Sequence, residues 1–339
     1  NMSAVVMDPR NGKVLAMVNE PGYDPANYGN VTGAEVYINH IVEDPYEPAS
    51  VCKAFTFAAG LEYGVMTTDK TFTNEHMTIV DGWEIWNADR RSSIYGTVTM
   101  QTALNYSMNT GSTQVLRWLS GSETEITYAG RQRLYEYYHD RFGLDKLTGV
   151  ELYELSGTMW KPEESGLGIN SAYANMTFGQ NMNATMLQVA AAYASLVNGG
   201  NYYQPTILAG KMVDGEFVPE EEKVVVRQTV SAETSAKMRE MLRGTRKAMQ
   251  NNGTDQAGYF IGGKTGTSQE IINGEYSFDQ TTGTYIGFGG TDGELPEYLI
   301  MVRIWGEKQK VDGYDHAMPT FNEIKAYVQD YLKVRPAGA

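Results

Sequence analysis

The spacing of apolar residues divides the chain into strands near both ends and helices in between. Alternation at every second residue predicts strands, and a repeat of three to four residues predicts amphipathic helices. The first two strand candidates flank an Asn11-Gly12 pair, which is typical of a β-hairpin. Strands are predicted at residues 3–7, 13–18, 259–267, 283–289 and 297–305, with small strands within 202–226. Helices are predicted at residues 50–63, 99–105, 112–118, 123–142, 183–196, 231–249 and 320–332.

This order of elements predicts an α+β fold. The two opening and three closing strands join most simply in a five-stranded antiparallel sheet flanked by helices, with a mainly helical lobe inserted between strands 2 and 3. We expect a sheet lobe of residues 1–45 and 201–339 and a helical lobe of residues 46–200. Residues 19–48 read as a long loop, and long loops in compact domains are often functional.

Composition and charge limit the classes of function that the chain can have. Of the 339 residues, 42% are hydrophobic and 20% are charged, which is typical of a globular chain. The net charge of -14 argues against nucleic acid or an anionic membrane surface as a partner. A single cysteine leaves no internal disulfide, and the four histidines show no metal-like spacing. No apolar run reaches the roughly 18 residues of a membrane span, and we expect the chain to be a piece of a longer protein.

A serine and a lysine at the start of the first predicted helix are the first candidates for chemistry. Ser50 and Lys53 are three residues apart, so they lie on one face of the helix. The neighbours of Lys53 are almost all apolar, and desolvation lowers a lysine pKa, as a serine-activating base requires. The alternative is an N-capping serine followed by a lysine that extends to solvent, because Ser-x-x-Lys alone is a common pattern.

Two further motifs make the pattern specific. Ser107-Met108-Asn109 interrupts two helices, and Lys264-Thr265-Gly266 lies on a late strand. Ser-x-x-Lys, Ser-x-Asn and Lys-Thr-Gly, in this order, are typical of class A β-lactamases and penicillin-binding proteins. With Glu47-Pro48 before Ser50 and Phe178-Gly179-Gln180 later, the chain resembles the transpeptidase domain of class B penicillin-binding proteins over nearly its whole length.

The resemblance implies a role for each motif residue. Ser50 would attack the D-Ala-D-Ala end of a peptidoglycan stem peptide, with Lys53 as general base. Ser107 would relay a proton to the leaving amine, and Asn109 would hold Lys53 and the substrate amide. Lys264 would supply positive charge near Ser107 and help to keep Lys53 neutral.

The strand motif would bind the substrate. By the same resemblance, the segment Thr265, Gly266 and Thr267 binds the donor, with the two threonines on its terminal carboxylate. The backbone N–H groups of Ser50 and Thr267 would form the oxyanion hole. The chemistry is covalent acyl transfer with no metal and no cofactor, and β-lactams would acylate Ser50.

The family pattern also implies a setting for the whole protein. An N-terminal membrane anchor and a pedestal domain would precede the catalytic domain, which would face the cell-wall side of the bacterial plasma membrane. Stem peptides, β-lactam antibiotics and a membrane glycosyltransferase would be its partners. The alternatives are a serine β-lactamase, although no Glu-x-x-Leu-Asn segment follows Ser107, and a β-lactam sensor domain.

Several residues depart from the family pattern or invite another interpretation. Ala49 stands where glycine is usual before the nucleophile, Met186 where proline is common, and Asn181-Met182 where the family has a glycine-containing pair. We interpret Cys52 as a packing residue, since buried cysteine behaves as a small hydrophobe. The pair Trp83 and Trp86 is interpreted as structural rather than substrate-binding.

Overall fold

The fold is described from a computed structural model. It covers residues 1–31, 33–88, 94–163, 165–220, 225–249, 255–272 and 274–338. Part of the predicted small-strand region, residues 221–224, lies outside the described residues. No helix in the described part of the chain is long and apolar enough to cross a bilayer.

Thirteen strands and eight α-helices occur among the described residues. The strands are β1 (Met2–Met7), β2 (Val14–Glu20), β3 (Thr71–Asn74), β4 (Met77–Val80), β5 (Trp83–Trp86), β6 (Gly96–Thr99), β7 (Asn201–Tyr203), β8 (Gly210–Val213), β9 (Glu216–Pro219), β10 (Val225–Gln228), β11 (Tyr259–Ile272), β12 (Glu275–Thr291) and β13 (Tyr298–Ile304). The helices are α1 (Lys53–Glu62), α2 (Met100–Asn105), α3 (Asn109–Leu119), α4 (Tyr128–Tyr135), α5 (Ile169–Met176), α6 (Met186–Val197), α7 (Ala232–Ala248) and α8 (Met318–Tyr331).

The predicted five-stranded antiparallel sheet is confirmed. Its order is β11-β12-β13-β1-β2, so the opening hairpin joins the three closing strands through the β1–β13 pair. Val5 on β1 faces Met17 on one side and Met301 on the other. The helices α1 to α6 lie in the chain between strands β2 and β11, as the insertion predicted. Strand β11 is one edge of the sheet.

Alternation along β1 and β13 separates two hydrophobic clusters, one on each face of the sheet. Val5 and Met301 belong to the larger cluster, which includes most of the buried helical residues. Val6 and Val302 belong to the smaller cluster beneath α8, where Phe321 is fully buried. Packing of α7 on β11 and of α8 on β12 and β13 covers the sheet as expected.

Several predicted boundaries were wrong for local reasons. The helix predicted from Ser50 begins at Lys53, after a 3-10 turn over Ala49–Cys52. The helix predicted over residues 123–142 begins after Thr127, whose hydroxyl caps it, and ends in a π-helical turn, Glu136–Arg141. Capping by Thr185 and Gln188 delays α6 to Met186.

One helix was not predicted at all, and two strands were predicted too short. Helix α5 was missed because a short helix among glycines and small polar residues has little periodicity. Strands β11 and β12 extend well beyond the predicted 259–267 and 283–289, since their outer halves form a half-exposed hairpin without an apolar run. Thr99 caps α2, and its hydroxyl accepts from the Thr102 N–H.

Candidate active site

The nucleophile candidate Ser50 lies in the 3-10 turn that precedes α1. A 3-10 helix has three residues per turn, so residues three apart are eclipsed, and Ser50 and Lys53 remain on one face. Two buried hydroxyls hold carbonyl groups of this turn. Tyr193 Oη donates to the Val51 carbonyl (2.6 Å), and Tyr138 Oη donates to that of Cys52 (3.2 Å). Cys52 itself is fully buried, which agrees with its interpretation as a packing residue.

Ala49, the departure noted in the sequence, has a φ of 54°, in the left-handed region that favours glycine. Its N–H donates to the Gly179 carbonyl (3.0 Å). A Cβ atom at Gly179 would lie 2.3 Å from the Ala49 carbonyl oxygen, so only glycine permits this approach. A hydrogen bond and a close backbone contact therefore join the segment after α5 to Ala49, the residue before the nucleophile candidate.

Hydrogen bonds at the C-terminal end of α2 fix the position of Ser107. Its N–H donates to Leu104 O (3.1 Å), and the Met108 N–H donates to Ala103 O (2.8 Å). This pair of bonds is a Schellman motif, which usually places glycine where Ser107 lies, and Ser107 accordingly has a φ of 53°. A non-glycine residue in this conformation carries backbone strain, and such strain is frequent at functional sites.

The two motif lysines converge on the Ser107 hydroxyl. Lys53 Nζ lies 3.1 Å and Lys264 Nζ 2.8 Å from Ser107 Oγ, and both lysines are 0% exposed. Lys53 Nζ also donates to the Ser107 carbonyl, and Lys264 Nζ to that of Thr265 (3.1 Å). The sequence-predicted proximity of the two lysines is thus present.

Burial sets the protonation of these lysines. Desolvation, and then the charge of Lys264, hold the pKa of Lys53 well below its ordinary value. Desolvation also lowers the pKa of Lys264 to about 7. A neutral Lys53 amine that donates both hydrogens to Ser107 keeps its lone pair for another group. Ser107 Oγ accepts from two amines, so its own hydrogen is available as a donor.

Asn109 makes a different contact from the one expected. It was predicted to hold Lys53, but its Nδ2 donates to the Trp86 carbonyl at the end of β5 (2.8 Å). The reason is that Asn109 is the first residue of α3, and this helix start is packed beside strand β5. Trp86 thus holds Asn109 through its backbone carbonyl, and Trp83 is 62% exposed, so the structural interpretation of the two tryptophan side chains stays a prediction.

The Lys-Thr-Gly strand lies directly against the nucleophile turn. A Cβ atom at Gly266 would come within 2.8 Å of the Pro48 carbonyl oxygen, so the close approach of β11 requires glycine. Thr267 is exposed, and its Oγ1 accepts from the Gly313 N–H (3.2 Å), which leaves its hydroxyl hydrogen as a donor. Thr265 is half-buried. The oxyanion hole of Ser50 and Thr267 N–H groups stays a prediction.

Sequence reasoning missed a buried acid beside the site. Glu47 is 8% exposed, and its Oε1 accepts from the Asn181 N–H (2.8 Å) and from Tyr276 Oη (2.9 Å). Burial raises the pKa of Glu47. The Glu-Pro pair before Ser50 was a visible signal, whereas Tyr276, on β12, had none.

Comparison with known proteins agrees with this geometry. A family model described as the penicillin binding protein transpeptidase domain matches residues 2–326. The chain is 30% identical to stage V sporulation protein D of Bacillus subtilis, over 99% of this chain and 50% of the relative. It is 27% identical to a probable peptidoglycan D,D-transpeptidase, PenA, of Neisseria flavescens, over 98% of this chain and 76% of the relative.

A solved structure shows the same fold. Penicillin binding protein 3 of Mycobacterium tuberculosis, in complex with aztreonam, is similar over 100% of this chain and 74% of that chain, with a TM-score of 0.82 and 26% identity. The chain spans about half the length of the sporulation protein that it matches.

Proposed function

The chain belongs to the family of penicillin-binding protein transpeptidase domains, and from that premise we propose that it is the catalytic part of a peptidoglycan D,D-transpeptidase. The observation that carries the proposal is the convergence of two buried lysines on Ser107, together with the position of Lys53 one turn after Ser50. Such an arrangement supplies a neutral base, a proton relay and a nucleophile within one cleft. The names of the relatives agree with this activity.

The first half of the reaction forms an acyl-enzyme. Ser50 Oγ attacks the carbonyl carbon of the penultimate D-Ala, and Lys53 Nζ accepts the hydroxyl proton. Collapse of the tetrahedral intermediate breaks the C–N bond to the terminal D-Ala. Ser107 donates a proton to the leaving nitrogen and is reprotonated from a lysine, so the products are a Ser50 ester and free D-alanine.

The second half transfers the acyl group. An amine of a neighbouring stem peptide attacks the ester carbonyl and loses a proton to Lys53, and Ser50 Oγ leaves and regains a proton. The new amide is the cross-link. Positive charge on Lys264 and the hydroxyl donors of Thr265 and Thr267 suit the terminal carboxylate of the donor peptide. The backbone N–H groups of Ser50 and Thr267 would stabilise the oxyanion.

Penicillin acylation tests the proposal directly. Benzylpenicillin is incubated with the wild type and with Ser50→Ala, and the intact masses are measured. We expect one lasting adduct on the wild type only. In a separate assay without the drug, the wild type should release D-alanine from a D-Ala-D-Ala peptide and form an amide with an amine acceptor. Rapid consumption of the drug without an adduct would indicate a β-lactamase. An adduct without peptide transfer would indicate a sensor domain.

The setting of the whole protein extends the proposal. The relatives named here are bacterial, and in line with the sequence we propose that the domain acts on the cell-wall side of the plasma membrane, held there by an N-terminal anchor. A membrane glycosyltransferase that makes the glycan strand would be its partner. The two-lobe division at residues 45/46 and 200/201 also stays a proposal, in which the cleft lies between the lobes.

A further inference from the structure

Two consecutive residues at the end of β5 hold two consecutive residues at the start of α3. Trp86 O accepts from Asn109 Nδ2 (2.8 Å), and Asn87 Oδ1 accepts from the Thr110 N–H (3.0 Å). Helix α3 lacks a capping side chain of its own, because its N-cap residue is Met108. Asn87 therefore supplies, from another strand, the acceptor that a capping residue usually provides.

Asn87 is itself fixed by a buried polar network. Its Nδ2 donates to Asn74 Oδ1 (2.9 Å), and Thr110 Oγ1 lies within 3.2 Å of both asparagine Oδ1 atoms. Asn74 in turn donates to the Ile94 carbonyl (2.7 Å). Asn74, Asn87 and Thr110 are all at most 5% exposed. Because the Thr110 N–H requires an acceptor, the Asn87 amide can adopt only one orientation.

The member of this network nearest in the chain to the proposed proton relay is Thr110, three positions after Ser107. Only Met108, which is buried, separates Ser107 from Asn109. The helix start that Asn87 caps is thus continuous with the Schellman turn that presents Ser107 Oγ to the two lysines. A movement of the first turn of α3 would change the distances from Ser107 to both amines.

We propose that Asn87 is a positioning residue for acylation, which fixes the Ser107–Asn109 turn through Thr110 against the lysine pair. It touches neither the lysines nor the substrate, and it acts through the helix start. The inference rests on the proposed function, since it presumes that Ser107 relays a proton. Fully bonded buried polar networks hold one arrangement of a site in this way.

The test compares Asn87→Ala with Asn198→Ala. Asn198 is a matched control, since it is also buried and bonded on both amide atoms, to Pro9 O and to the backbone of Asn201, at the end of α6. Thermal unfolding is measured first, and the rate of benzylpenicillin acylation is then followed well below both transitions, across pH. We expect both variants to lose stability, and only Asn87→Ala to acylate more slowly, on the order of 100-fold, with a displaced pH profile.

Two more substitutions of Asn87 and one double variant extend the test. Asn87→Asp keeps the acceptor for the Thr110 N–H but replaces the donor to Asn74 Oδ1 with an oxygen, so it should recover only part of the rate. Asn87→Ser keeps a polar group but shortens the side chain, so it serves if Asn87→Ala does not fold, and it should be slow. In an Asn109→Ala background, the effect of Asn87→Ala should shrink, because both act on one turn.

The outcomes separate the two proposals. If the wild type acylates and Asn87→Ala matches Asn198→Ala in rate and pH profile, the positioning role is refuted and the proposed function stands. Strictly additive effects of Asn87→Ala and Asn109→Ala would also refute it. If the wild type does not acylate, the proposed function fails and this inference fails with it.

Discussion

Replacing Lys264 by methionine should move the acid limb of the acylation rate to higher pH. In the proposed mechanism Lys53 accepts a proton, which it can do only when it is neutral, so the rate should rise with pH through the pKa of Lys53. Desolvation is the main cause of its low pKa, and the charge of Lys264 is the second. Removing that charge removes one cause, so the pKa of Lys53 rises toward its ordinary value.

The size of the shift follows from the distances to Ser107 Oγ. Lys53 and Lys264 lie 3.1 and 2.8 Å from this atom, so their Nζ atoms are at most about 6 Å apart. Two unit charges at that separation repel by about 3 kcal/mol at an effective dielectric constant of about 20, which corresponds to about 2 pKa units. Since the pKa of Lys264 is about 7, it carries roughly half a charge at neutral pH, and the shift there is nearer one unit.

The assay is the rate of benzylpenicillin acylation across pH, by rapid quench and intact mass. Methionine is similar in length to lysine and apolar, so the desolvation of Lys53 is retained. Lys264→Arg is the control, because arginine carries a full positive charge across this pH range, so its acid limb should stay in place or move to lower pH and never to higher pH. An acid limb that stays in place or moves to lower pH in Lys264→Met would refute the electrostatic coupling. A lower rate at every pH without a shift of the acid limb would indicate that Lys264 acts only in substrate binding.

Three other substitutions test the strain and burial around the cleft. Ala49→Gly should raise the free energy of unfolding by roughly 1 kcal/mol or less in urea titrations, since glycine tolerates the positive φ. Ser107→Gly should stabilise by a similar amount and yet slow acylation by roughly 100-fold or more, because the relay hydroxyl is lost. Glu47→Gln should melt higher than the wild type at neutral pH. Because the pKa of Glu47 is raised in the folded chain, the wild type loses stability as pH rises from the ordinary value of 4.5 through the raised pKa, so the difference should vanish in acid below 4.5.

Much of the architecture was predictable because local patterns and topology agree. The opening hairpin and the three closing strands alternate cleanly, and antiparallel closure of those five strands leaves one simple sheet. Helix α5 and the outer hairpin of β11 and β12 were not predictable, because tertiary packing rather than periodicity stabilises them. The 3-10 turn at Ser50 depends on hydroxyls donated by Tyr138 and Tyr193, which are distant in sequence.

The candidate site, like the fold, was predictable from the sequence only in part. Ser50, Lys53, Ser107 and Lys264 were identified from ordered motifs, and the structure brings the last three together around one hydroxyl. The partner of Asn109 could not be predicted, since a backbone carbonyl carries no sequence signal. The roles assigned to these residues remain predictions until the acylation measurements are made.

Hydrogen bonds between different segments hold the strained backbone conformations around the candidate site. Ala49, Ser107 and Asn181 all have positive φ values, of 54°, 53° and 56°. The Ala49 N–H bonds to the segment after α5, and that segment returns a bond from the Asn181 N–H to Glu47. Strained residues persist only where their surroundings over-determine them. Reciprocal hydrogen bonds join the turn at Ser50 to the segment after α5, so relief of strain at Ala49 should add stability without adding rate.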